Sequence, residues 1–222
     1  MATVKKQFRI LCFGDSLTEG YTHHGLSFTP YSLTLLEKLR TNLSLSSQYN
    51  IAIDTDGMSG DQVTGSFLGR MEDRYDHPLT KHLPYDWVVF LGGTNDLGWG
   101  KSTEEIHSAI KAVTDIPLSY SARVLIMTVP ECSAKIASLD ARRDELNQAI
   151  WDDSRDDVFT LDLYAKMPYH SMSKDERKEI WDDGLHFTAA GYARIGTLVA
   201  ERLVEILQRE AELRDGEDQD QD

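Results

Sequence analysis

A chain of 222 residues with 41% hydrophobic, 9% aromatic and 27% charged side chains has apolar matter for one sizeable core and too little length for two ordinary domains, which excludes a largely disordered protein. Lys and Arg number 23 against 37 Asp and Glu, a formal charge of −14, and a field of that sign repels phosphate backbones and anionic lipid surfaces, so nucleic acid is excluded as a partner. The expected organisation is one domain over residues 1–211 and an acidic, disordered tail over 212–222, since residues 214–222 carry five carboxylates, one Arg and no apolar side chain.

In chain order, the opening MATVKKQFRILCF has basic residues, but Gly14 and Asp15 interrupt its apolar run too early for a secretory leader. Nothing later approaches the ~18 apolar residues of a membrane span. Cys12 and Cys132 are the only cysteines. They read as two reduced thiols and not as a disulfide framework, which with the missing leader points to a cytoplasmic protein without integral membrane association.

Short apolar runs rich in branched and aromatic residues at Phe8–Phe13, Tyr49–Thr55, Asp86–Leu91, Arg123–Val129 and Val158–Leu163 predict five buried strands. Amphipathic segments over Tyr31–Leu43, Gln62–Tyr75, Thr103–Ser119, Leu139–Asp153 and Thr188–Leu213 predict helices. In the last of these, Ile195, Leu198, Val199, Leu203 and Ile206 recur at steps of three and four, one wide face for covering a sheet. Strands alternating with helices of this length pair in parallel through right-handed crossovers, so the expected fold is a three-layer α/β/α sandwich. The crevice of such a sheet lies outside the carboxyl ends of its strands. The first three strands there deliver Gly14-Asp15-Ser16, Gly57-Met58-Ser59-Gly60 and Gly92-Gly93-Thr94-Asn95-Asp96, which are expected to meet at one edge.

Acyl transfer by a serine requires a base for its proton, a group that orients the base, and donors for the oxyanion. Each has a candidate. In Asp183-Gly184-Leu185-His186 the spacing lets a carboxylate and an imidazole stand side by side in a turn, with one ring nitrogen bound to Asp183 and the other free to face Ser16. Gly60, without a Cβ, permits close approach to its N–H; the Asn95 amide and the Ser16 N–H complete an oxyanion hole of Ser16, Gly60 and Asn95. The Gly-x-Ser-x-Gly elbow of α/β-hydrolases is missing.

Four sequence blocks, GDSLTEG (Gly14–Gly20), GMSGDQV around Gly60, GGTND around Asn95 and DGLHFTAAGY around Asp183 and His186, resemble those of the SGNH hydrolases, also called the GDSL family. They occur in the family's order from residue 10 to about residue 195. The resemblance implies a flavodoxin-like sheet of five parallel strands, hydrolysis of small carboxylic esters through an acyl-enzyme on Ser16 with His186 and Asp183, and no metal or organic cofactor. It also implies breadth: members act on simple esters, thioesters, lysophospholipids and acetylated sugars, so fold and family do not name the substrate. Phe187 stands where many members carry proline, which bears on the stiffness of the loop after His186.

An acyltransferase using the same site, or an idle binding module of the same fold, remains an alternative. Asp15 and Asp96 are expected to hold loop amides and not to act as acids. The Gly92-Gly93 pair lacks any phosphate-loop context. His23-His24 and His77 with His82 lack metal-site spacing and are expected to be solvated loop residues. Trp99, the Thr22–Pro30 loop and the Tyr164–Met172 stretch either line an acyl or alcohol pocket or cover the core edge.

Overall fold

The computed structural model describes residues 5–76 and 84–219. The strand β1 (Lys6–Asp15) turns Phe8, Ile10 and Cys12 to one side and Leu11 and Phe13 to the other, and all five are buried. A strand apolar on both faces needs cover on both. It leads into a one-turn helix α1 (Ser16–Glu19), a two-stranded ribbon β2 (Tyr21–Thr22) and β3 (Ser27–Phe28), the helices α2 (Ser32–Thr41) and α3 (Leu43–Gln48), and β4 (Tyr49–Met58). There follow α4 (Phe67–Asp76), β5 (Trp87–Leu91), α5 (Thr94–Gly98), α6 (Thr103–Ser119), β6 (Arg123–Met127), α7 (Ala137–Trp151), β7 (Val158–Leu161), α8 (Leu163–Lys166), α9 (Lys174–Ile180) and α10 (Ala189–Gln219).

The main sheet runs β4-β1-β5-β6-β7, with every pairing parallel. On one face Leu35 and Leu39 of α2 and Ile195, Val199 and Leu203 of α10 pack against Trp87 and Val89; on the other, Phe67 of α4, Ile106 and Ile110 of α6 and Leu146 of α7 meet Val88 and Phe90. This is the expected three-layer α/β/α sandwich. Successive connections diverge between β1 and β5, which places a crevice at the carboxyl ends of those two strands.

Boundaries move where tertiary bonds compete with local pattern. β4 continues past Thr55 because it pairs with β1 as far as Asp15↔Met58. The helix expected from Gln62 starts only at Phe67: the Asp61 and Asp96 carboxylates take the N–H groups of Gln62, Val63, Thr64 and Ser66, holding that stretch as a turn. Short pieces such as α1, β2 and α5 carry too few residues to show a period. The backbone of α10 continues beyond the expected end at Leu213 to Gln219, since helical bonds close within the segment and need no core to propagate. His77, His82 and residues 220–222 of the expected tail lie outside the described residues. No helix among the described residues is long and apolar enough to cross a membrane.

Candidate active site

Ser16 stands where β1 stops. The Asp15 side chain accepts from Leu17 N–H at 2.9 Å and opens α1, whose single turn closes with Gly20 N–H donating to Ser16 O. This turn lies directly on β4: a Cβ at Gly57 would fall 2.1 Å from Glu19 N. Glu19 in turn accepts from Ser59 N–H at 3.0 Å and from its hydroxyl, tying the turn after β4 to the turn after β1. The expected structural role of Asp15 is what the structure shows. Burial pushes its carboxyl up to about 7, against the opposing Leu17 N–H bond.

His186 arrives from the other end of the chain, 170 residues away, on a loop pinned by Thr188 N–H to Ile180 O, Asp182 N–H to His186 O and a bridge between Trp181 and Phe187. Asp183 organises it. Its Oδ1 accepts from Leu185 N–H at 3.0 Å and His186 N–H at 2.8 Å, while Oδ2 takes His186 Nδ1 at 2.8 Å. With Nδ1–H committed there, Nε2 is left to accept from Ser16 Oγ at 2.9 Å. Burial works to raise the Asp183 carboxyl, but the backbone and ring hydrogen bonds of His186 and the Leu185 N–H outweigh it and hold it below its ordinary range. Phe187, in the family's proline position, is fully buried, 4.1 Å from the Trp181 ring and 5.5 Å from Tyr192. These ring contacts hold the residue after His186 in the core.

Gly60 adopts φ +78°, and a Cβ there would meet no protein atom. Its backbone conformation calls for glycine, and the space it faces is open. The next residue does two jobs. The Asp61 carbonyl accepts from Asn95 Nδ2 at 2.8 Å, and its carboxylate binds Arg70 at 2.7 Å. Burial would raise the Asp61 carboxyl, yet the bonds from Ser66 and Arg70 hold it low. Asp96, fully buried, accepts from Val63 N–H, Thr64 N–H and the Thr64 hydroxyl, the amide-holding role expected of it. The Asn95 amide has a second hydrogen besides the one given to Asp61, so it can both be held and donate.

Beside Asn95 opens a cleft of about 270 Å³ walled by Leu97, Trp99, Val129, Pro130 and Leu185. Trp99, 76% exposed, lines it. The Tyr164–Met172 stretch does not: Met167 and Met172 are core residues, and Tyr169 and His170 N–H groups bind Glu131. The Thr22–Pro30 loop docks beside His186 through His23 N–H on Asp182 at 2.7 Å. Sequence reasoning missed Tyr21, whose ring lies 4.3 Å from that of His186 and whose carbonyl is held by the Tyr192 hydroxyl. It also missed Asp61 and Arg70. Neither Cys12, fully buried, nor Cys132 is paired. Among the described residues no three His, Cys, Asp or Glu are grouped to hold a metal.

Residues 12–194 match the GDSL-like lipase/acylhydrolase family. Among solved structures, a lipolytic G-D-S-L family protein from Veillonella parvula is similar with a TM-score of 0.65 at 20% identity, over 91% of this chain and 99% of that one. A lipase/acylhydrolase from Enterococcus faecalis gives 0.65 at 21% identity over 88% and 95% of the two chains. The acetylxylan esterase Axe2 from Geobacillus stearothermophilus gives 0.67 at 14% over 89% and 94%. At these identities the likeness is one of fold. No curated protein matches the chain in sequence.

Proposed function

Because the chain belongs to the GDSL-like lipase/acylhydrolase family, we propose that it hydrolyses carboxylic esters, with Ser16 as nucleophile, His186 as proton carrier and Asp183 as the group that orients it. The observation carrying this reading is the continuous line from Asp183 Oδ2 to His186 Nδ1 at 2.8 Å and from His186 Nε2 to Ser16 Oγ at 2.9 Å. As Ser16 Oγ bonds to the ester carbonyl carbon, its proton passes to His186 Nε2, and Asp183 stabilises the imidazolium. The carbonyl oxygen gains the charge and is met by Ser16 N–H, Gly60 N–H and Asn95 Nδ2. His186 returns the proton to the departing alcohol, leaving an acyl-enzyme; water, deprotonated by the same nitrogen, then releases the acid and restores Ser16.

The cleft of about 270 Å³ beside Asn95 supports an ester with a small acyl group, as does the acetylxylan esterase among the fold neighbours. The two free thiols support a reducing, cytoplasmic setting. Treatment with a fluorophosphonate followed by peptide mapping tests the mechanism. A stoichiometric adduct on Ser16 that disappears in His186→Ala is the expected result, together with turnover of p-nitrophenyl acetate. Absence of both in the wild-type protein sinks the reading and leaves a binding module. Product analysis with added alcohols separates hydrolysis from acyl transfer, since the acyl-enzyme is common to both.

A further inference from the structure

Arg70 has no part in the steps above, yet its guanidinium touches two of the segments that carry them and, through Asp61, anchors a third. It projects from α4 with its side chain 11% exposed. Nη1 donates to Gly14 O at 3.1 Å and to Asp61 Oδ2 at 2.7 Å; Nη2 donates to Gly14 O at 3.2 Å, to Asp56 O at 2.9 Å and to Asp56 Oδ1 at 2.6 Å. The cation lies over the rings of Phe13 and Phe67, 4.7 and 5.2 Å from their centres, which fixes its plane. Gly14 is two residues before the nucleophile, Asp56 leads into the Gly57–Gly60 turn, and the Asp61 carbonyl is the anchor of the Asn95 amide.

We infer that Arg70 is the positioning residue of the oxyanion hole: by clamping Asp61 to Gly14 it holds the Asn95 amide at a set distance from Ser16. A planar fork bound on two edges transmits position; an ammonium on a flexible stem does not. Donors aimed at charge that develops only in the transition state must be placed beforehand, so an error in their position slows turnover and leaves ground-state binding nearly intact. A guanidinium that merely braced the corner between β1, β4 and α4 would act equally whatever stood at position 95.

The kinetic test rests on the esterase reading and takes the form of a double-mutant cycle with p-nitrophenyl acetate. Arg70→Lys keeps the charge and loses the fork. We expect kcat to fall on the order of tenfold to a hundredfold with KM within about threefold. In the Asn95→Ala background the same change is expected to cost under about threefold, because the group it aims is already gone. Equal losses in the two backgrounds overturn the inference, as does a folded Arg70→Lys with wild-type kcat. Should Arg70→Lys fail to fold, Asp61→Asn enters the cycle in its place, since it keeps the anchoring carbonyl and removes the ion pair. Fluorophosphonate labelling of wild-type Ser16 is measured first. If the wild type neither labels nor turns over, the esterase reading has failed on its own account. The positioning is then read from the Asn95 side-chain amide resonances, which shift in Arg70→Lys if Arg70 aims that amide and stay in place if it does not.

Discussion

The carboxyl of Asp15 is 1% exposed beside Ser16; Oδ1 holds Leu17 N–H, and Oδ2 has no hydrogen-bond partner among the described residues. Desolvation raises it to about 7. A carboxyl whose folded value lies above its unfolded one binds more protons when folded, so stability falls as pH rises between the two values, from near 4 to near 7. Asp15→Asn retains an oxygen for Leu17 and removes the titration. Its stability relative to the wild type should therefore grow by about 4 kcal/mol over that interval and level off above it, which urea unfolding at pH 4, 5.5 and 7.5 measures; a constant difference contradicts the assignment. For Asn95→Ala the expectation is kinetic, a loss on the order of a hundredfold or more in kcat in a protein that still folds. Near-full turnover would remove Asn95 from the oxyanion hole. Ser16, Gly60, Asn95, Asp183 and His186 could all be named from the sequence because each sits in a short, locally patterned block. Tyr21 and Arg70 could not, because what matters about them is a partner far along the chain: His186 for one, Gly14 for the other.

Among the elements, the contact of α1 with β4 decides where the Ser16 turn lies. The missing Cβ of Gly57 leaves room for the Glu19 backbone, which would otherwise sit 2.1 Å away. Backbone cannot swing aside as a side-chain tip can, so Gly57→Ala should cost about 3 kcal/mol or more and displace Ser16 from His186. Paired urea denaturation and fluorophosphonate labelling rates check it: stability and labelling should fall together. Unchanged labelling would mean that α1 does not depend on β4 for its place. Strands and long helices were legible because their apolar side chains recur with a period. The 61–66 turn was not, since its sequence is amphipathic enough for a helix and is held out of one by the carboxylates of Asp61 and Asp96.

For the whole molecule, carboxylates held below their ordinary range are spread across distant parts of the fold. Asp61 and Asp183 lie at the site, Glu131 joins the loop after β6 to Tyr169 and His170, and Asp153 faces Arg155 at the opposite end. In each, hydrogen bonds and neighbouring cations outweigh a burial that works the other way. A depressed carboxyl contributes stability that is complete above its unfolded value, about 3.9 for Asp and 4.3 for Glu, and is lost as pH falls through the lower folded value. The melting temperature should therefore drop steeply below pH 4, and Asp153→Asn should reduce that drop; a melting temperature level from pH 5 to pH 2.5 would contradict it. By itself the sequence determined where the five main strands and the longer helices lie, that they alternate, and which five residues are the candidates for the chemistry, because periodicity and short motifs are properties of neighbours along the chain. Only the tertiary structure decided that Ser16 and His186 stand 2.9 Å apart, that Tyr21 lies against the imidazole and that one half-buried guanidinium joins two of the blocks and, through Asp61, anchors a third. Those facts depend on where parallel strands end in register and on which carbonyls they leave facing the crevice, and no local pattern encodes that.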